Sequence, residues 1–77
     1  MLIELDGRQM LPPEPLERVL DHLPRLGPDD CLAIHLRHEP HPLYEILAER
    51  GFRWQTRCLG TANYRVEIRP AATDADH

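Results

Sequence analysis

Hydrophobic and polar positions alternate between the spacing of a strand and the spacing of a helix along this chain. Residues 2–5, LIEL, form a short extended apolar run, and Asp6-Gly7 after it reads as a turn. The period then changes. Leu16, Val19, Leu20 and Leu23 fall at i, i+3, i+4 and i+7, one stripe of a helix whose first position suits Pro15. Glu14 and Glu17 lie at the positive end of its dipole, and Pro24 ends it there or one turn later. Gly27-Pro28-Asp29-Asp30 is a turn cluster. In CLAIHLR, residues 31–37, Leu32, Ile34 and Leu36 face one side, and Cys31, Ala33, His35 and Arg37 the other, the pattern of a half-buried strand. His38-Glu39-Pro40-His41 breaks it. A second helix is predicted from Pro42, with Leu43, Ile46 and Leu47 inward and Gly51 as its stop. FRWQTRCL alternates again, with Phe52, Trp54, Thr56 and Cys58 on one face. Gly60-Thr61-Ala62 predicts a hairpin turn, and Tyr64, Val66 and Ile68 the inner face of a last strand.

The order is therefore βαβαββ. Each helix has one apolar stripe and each strand one apolar face, so the expected architecture is α+β, a two-layer sandwich with both helices on one side of a single sheet. Right-handed crossovers make the first three strands parallel and the last antiparallel. The other sheet face is left wet and would carry Arg37, Arg53, Arg57, Arg65 and Arg69 with Glu4 and Glu67. Residues 1–70 read as one domain and 71–77 as a disordered tail.

Composition narrows the function classes. A net charge of −4 argues against a general nucleic-acid binder, although all nine basic residues are arginine. A genome rich in G and C produces that bias without functional cause. By parity Phe52, Trp54 and Tyr64 lie under the helices, so the arginine face has no aromatic platform for bases. No apolar run approaches the roughly 20 residues of a membrane span, and MLIELDGR lacks the features of a secretory leader, so a cytoplasmic location with no membrane partner is expected. Cys31 and Cys58 read as free thiols. Serine is absent, and no phosphate loop or paired-carboxylate constellation occurs, so no enzymatic site is expected.

Two stretches carry a family resemblance. Leu5-Asp6-Gly7-Arg8 and Pro12-Pro13-Glu14-Pro15-Leu16 together resemble the entrance to the first helix in the TusA/SirA-like sulfur-carrier superfamily, where the run is Cys-Pro-x-Pro. Pro13 and Pro15 match its prolines, and Pro12 occupies the cysteine position. Arg37-His38-Glu39-Pro40-His41-Pro42-Leu43 is similar to the DHDPxPL-type motif of a branch of that superfamily described only as a domain of unknown function. The resemblance spans about residues 2–69 and implies a βαβαββ sandwich with sheet order 1-2-4-3. A sulfur carrier acts through a thiolate at a helix start, where the dipole lowers its pKa. Proline has no nucleophile, so the resemblance implies a retained scaffold without sulfur transfer.

The two loops entering the helices meet at the sheet edge where ligands of open α/β sheets bind. They supply Asp6, Arg8, Pro12 and Pro13 from one side and His38, Glu39 and His41 from the other. Two helix starts with unpaired N–H groups beside Arg8 favour a small anionic ligand or a carboxylate-bearing protein partner. The bland counterpart is that Asp6 caps its turn and Arg8 pairs with Asp6 or Glu39 to brace the loops. His35, His38 and His41 raise a metal reading, but strand alternation sends His35 to the opposite face. Members of the branch occur attached to hemerythrin-like iron-binding domains, which implies a metal- or haem-linked redox accessory role as the alternative. A divergent sulfur relay is the remaining one. The expectation is a non-catalytic binding or protein-interaction module, with no cofactor of its own.

Overall fold

The computed structural model describes residues 1–11 and 13–71. Elements follow in the order β1 (Leu2–Asp6), α1 (Glu14–His22), a 3-10 turn (Leu23–Arg25), β2 (Cys31–Leu36), α2 (His41–Glu49), β3 (Phe52–Gly60) and β4 (Asn63–Pro70). They form a four-stranded mixed sheet of order β1-β2-β4-β3 with two helices, an α+β fold. β1 and β2 pair in parallel, and β4 runs antiparallel to both β2 and β3.

Both helices begin one residue earlier than the proline pattern predicts, at Glu14 and His41. Proline thus sits at the second helical position in each, where an N–H has no intrahelical partner and its loss is harmless. Pro24 converts the end of α1 into the 3-10 turn, and Gly51 stops α2 in the left-handed conformation (φ 81°). Ala71, expected to open the tail, donates its N–H to Gly51 O at 2.9 Å; the rest of the expected tail, 72–77, lies outside the described residues.

The core lies between helices and sheet. Val19 and Leu23 from the first helical segment and Leu43 and Leu47 from α2 pack on Leu32, Ile34, Val66 and Ile68. The alternation of β3 holds through Thr56, so Trp54 packs against this core and stacks on Tyr44 of α2, ring centroids 5.3 Å apart. Cys58, expected on the same face, is instead exposed where the register shifts before Gly60.

β2 departs from the half-buried expectation: Cys31 and Ala33, on its outer side, are buried too. The physical cause lies in its neighbours. β2 is central, and Ala33 stands in register between Glu4 of β1 and Glu67 of β4. Arg65 reaches over β2 to Glu4 at 2.9 Å and also pairs with Glu67. The small Ala33 side chain leaves room for that bridge, and the aliphatic stems above it exclude water. The same face places Arg53 opposite Arg69 and Arg57 opposite Arg65, like charges that repel directly across strands. Glu4 and Glu67 offset part of that repulsion.

Candidate functional site

The loops β1–α1 and β2–α2 come together at one end of the sheet and enclose an open cavity of about 570 Å³. Leu16 and Val19 of α1, Leu36 at the end of β2 and Leu43 of α2 form its apolar floor. Pro13, Pro15, Pro40 and Pro42 frame it at the two helix starts, and Met10 and Leu11 flank the mouth. Leu11 is 80% exposed, an apolar side chain held in water beside an apolar hollow.

A close backbone approach positions the first loop. Gly7 is buried and its N–H donates to His35 O at 2.7 Å, tying the exit of β1 to β2. A Cβ at Gly7 would lie 2.9 Å from Leu36 Cδ2 and 3.1 Å from His35 O, so a side chain has no room there.

Of the residues expected at this site, Arg8, Pro13, His38 and Glu39 line the cavity. Pro12 lies outside the described residues. Asp6 stands behind the rim and engages Arg8: its Oδ1 accepts from Arg8 Nε at 3.0 Å and from the Arg8 backbone N–H at 3.1 Å, and its Oδ2 from Nη2 at 3.0 Å. These bonds hold the Asp6 carboxyl down, from an ordinary 3.8 to about 2. A depressed carboxyl contributes its stabilisation above the ordinary value and loses it as pH falls through the folded one. The Arg8 Nε–H resonance is therefore expected to hold its position on acidification to about pH 4 and to shift only as pH nears about 2. A midpoint near the ordinary carboxylate value would show that the pair does not form.

Glu39 is similarly engaged. Tyr44 donates its hydroxyl proton to Glu39 Oε2 at 3.1 Å. With that proton committed, the Thr56 hydroxyl of β3 must donate to the Tyr44 oxygen. Burial pushes the Tyr44 hydroxyl up, which keeps it a neutral donor. His41 Nε2 lies 3.6 Å from Glu39 Oε1, and the His41 ring stands edge-on to Tyr44, centroids 5.7 Å apart. His41 thus braces the second loop and does not line the cavity.

The expected anion site at two helix starts is not built that way. In α2 the His41 N–H donates to Glu39 O, and the Leu43 and Tyr44 N–H groups both donate to Pro40 O. Pro42 has none to offer. In α1 the Glu14 N–H donates to Leu11 O and the Glu17 N–H to Pro13 O. At the start of α2 local turns consume the amides that a bound anion would need, and at the start of α1 they take those of Glu14 and Glu17. The histidines do not converge either: His35 lies on the outer sheet face, in register with Asp6 and Arg65. Among the described residues no group of His, Cys, Asp and Glu has the arrangement to hold a metal ion.

Arg37 corrects a second expectation. Alternation assigns it to the open sheet face, but β2 ends at Leu36, the alternation ends with it, and Arg37 lines the cavity. Met10, Leu11 and Tyr44 carry roles that the sequence reading leaves unassigned. Leu16, Val19, Leu36 and Leu43 read as plain core positions, whereas they also form the floor of a hollow.

Fold and edge together define a small α+β sandwich with an apolar cavity between its two helix-entry loops. The chain belongs to the family described as uncharacterized conserved protein (DUF2249), whose model matches residues 4–70. Comparison with curated proteins and with solved structures gives no match. No helix among the described residues is long and apolar enough to cross a membrane.

Proposed function

We propose that this chain is a non-catalytic binding module related to the TusA-like sulfur carriers, acting in the cytoplasm, whose edge cavity receives the apolar part of a ligand or partner. The observation that carries this reading is the cavity itself. A hollow of about 570 Å³ with an aliphatic floor falls in the size range and character of ligand pockets. Its two loop braces, the Asp6–Arg8 ion pair and the Glu39–Tyr44 hydrogen bond, support the same reading, because they hold the walls in place. The free state of Cys31 and Cys58 suits a reducing compartment.

The rival classes have less support. Pro12 offers no sulfur nucleophile, Cys31 is buried, and Cys58 lies near the β3–β4 turn, away from the helix starts. A metal- or haem-linked role lacks converging ligands among the described residues. Base stacking on the arginine face lacks aromatics, since Trp54 stacks on Tyr44 beneath the sheet.

Decanol, kept below its solubility limit, is a suitable apolar probe. Followed by backbone amide shifts, it is expected to move residues 7–11, 14–19 and 36–44 and to leave 53–57 and 65–69 in place. Absence of any response, or a response centred on the open sheet face, would remove the reading. Incubation with a cysteine desulfurase and its substrate is expected to leave the protein mass unchanged; gain of a sulfur atom would revive the sulfur-relay alternative.

A further inference from the structure

The mouth of the cavity carries an unpaired cation. Of the ionisable side chains that line it, Arg8 is engaged by Asp6, and Glu39 by Tyr44 and His41. Arg37 and His38 are exposed and have no hydrogen-bond or ion-pair partner among the described residues. An apolar floor with one unpaired guanidinium and one imidazole at its rim matches an amphipathic ligand with a single negative end.

We propose that the cavity binds small monocarboxylates with an aliphatic or aromatic body. The body rests on Leu16, Val19, Leu36 and Leu43, and the carboxylate is taken by Arg37 with His38 beside it. This deepens the apolar-cavity reading above and rests on it. Arginine presents a planar fork that matches the two oxygens of a carboxylate, so a single side chain supplies both charge and direction. A phosphate ester fits less well: it carries more charge than one arginine balances, and the α2 amides that would share it already serve Glu39 O and Pro40 O. The cavity volume of about 570 Å³ suits a small molecule held largely within the hollow.

The test compares decanoate with decanol on the full chain near neutral pH, both below their aggregation concentrations, with amide shifts as readout. Decanoate is expected to bind about tenfold more tightly than decanol, the gain of one charge-assisted hydrogen-bonded contact. Arg37→Gln is expected to abolish that advantage, bringing decanoate to the affinity that decanol has for the same variant; the side chain is exposed, so the fold has little to lose. Equal affinity of the two probes for the native chain would overturn the carboxylate assignment and leave the apolar reading standing. An advantage that survives in Arg37→Gln would also overturn it. Failure of both probes to bind would remove the apolar reading beneath it.

Discussion

Replacing Ile34 with alanine is expected to lower the unfolding free energy by about 2–5 kcal/mol, a large share of the stability a domain of this size has. Ile34 is 0% exposed at the centre of β2, paired with Leu5 on one side and Val66 on the other. The outer side of the same strand is covered by the Arg65–Glu4 bridge, so neither face offers an easy route for the neighbours to collapse into the space left behind. A chain of 77 residues also buries a smaller fraction of its surface than a larger domain, which makes each core residue a larger share of the total. Urea unfolding followed by far-UV circular dichroism measures the effect. A midpoint that falls at unchanged slope supports the packing described; a loss below about 1 kcal/mol would mean that Ile34 is not the keystone of this core.

Gly7→Val is the second large effect, and it joins stability to the site. Valine brings branched carbons to a position where even a Cβ meets Leu36 Cδ2 at 2.9 Å and a backbone carbonyl, His35 O, at 3.1 Å. Leu36 can rotate away; the carbonyl cannot without disturbing β2. The branched carbons are expected to push the loop off the strand and weaken the Gly7 N–H bond to His35 O, 2.7 Å in the native chain. Overpacking of this kind costs about 1–3 kcal/mol, and the weakened bond adds up to about 1 kcal/mol. Gly7 and Leu36 both line the cavity, so decanol binding is expected to fall by tenfold or more in whatever fraction stays folded. Retained binding together with native stability would show that the loop does not seat on β2 as described. Gly7→Ala makes the same Cβ contacts with Leu36 and His35 O without the two γ-carbons, so the difference between the variants gives the share due to branching.

Much of the architecture was legible in residue pattern because local chemistry determines it. The alternation of Phe52, Trp54 and Thr56 sets which face of β3 meets the helices, and the structure places Trp54 on that face. Pro24 and Gly51 end helices for reasons contained in their own backbones. What the pattern could not disclose depends on partners far along the chain. The cover over Ala33 comes from Arg65 and Glu4, 61 residues apart. Tyr44 joins α2 to β3 through Thr56, a contact that exists only once the layers are packed.

The candidate site was legible as a place and not as a chemistry. Two loops with Arg8, His38 and Glu39 do meet at one edge, and four of the side chains expected there line one cavity. The expected anion-binding amides of α2, however, are used up within their own turn, where Pro42 has no N–H and the carbonyls of Glu39 and Pro40 take the others. Arg8 is held by Asp6, while Arg37 leaves the sheet face where β2 stops. A hollow is the space between elements, and no single stretch of sequence encodes it. Leu16 and Leu36 read as core because an aliphatic cavity floor and a core wall have the same composition.

The central claim is that an apolar group enters the cavity between the two helix-entry loops. Intermolecular nuclear Overhauser effects between decanol and the methyl groups of the protein test it most directly. Contacts are expected from the alkyl chain to the methyls of Leu16, Val19, Leu36 and Leu43, with none to Leu59 near the β3–β4 turn. Contacts to Leu59 or to the open sheet face instead, with the cavity methyls silent, would contradict the account.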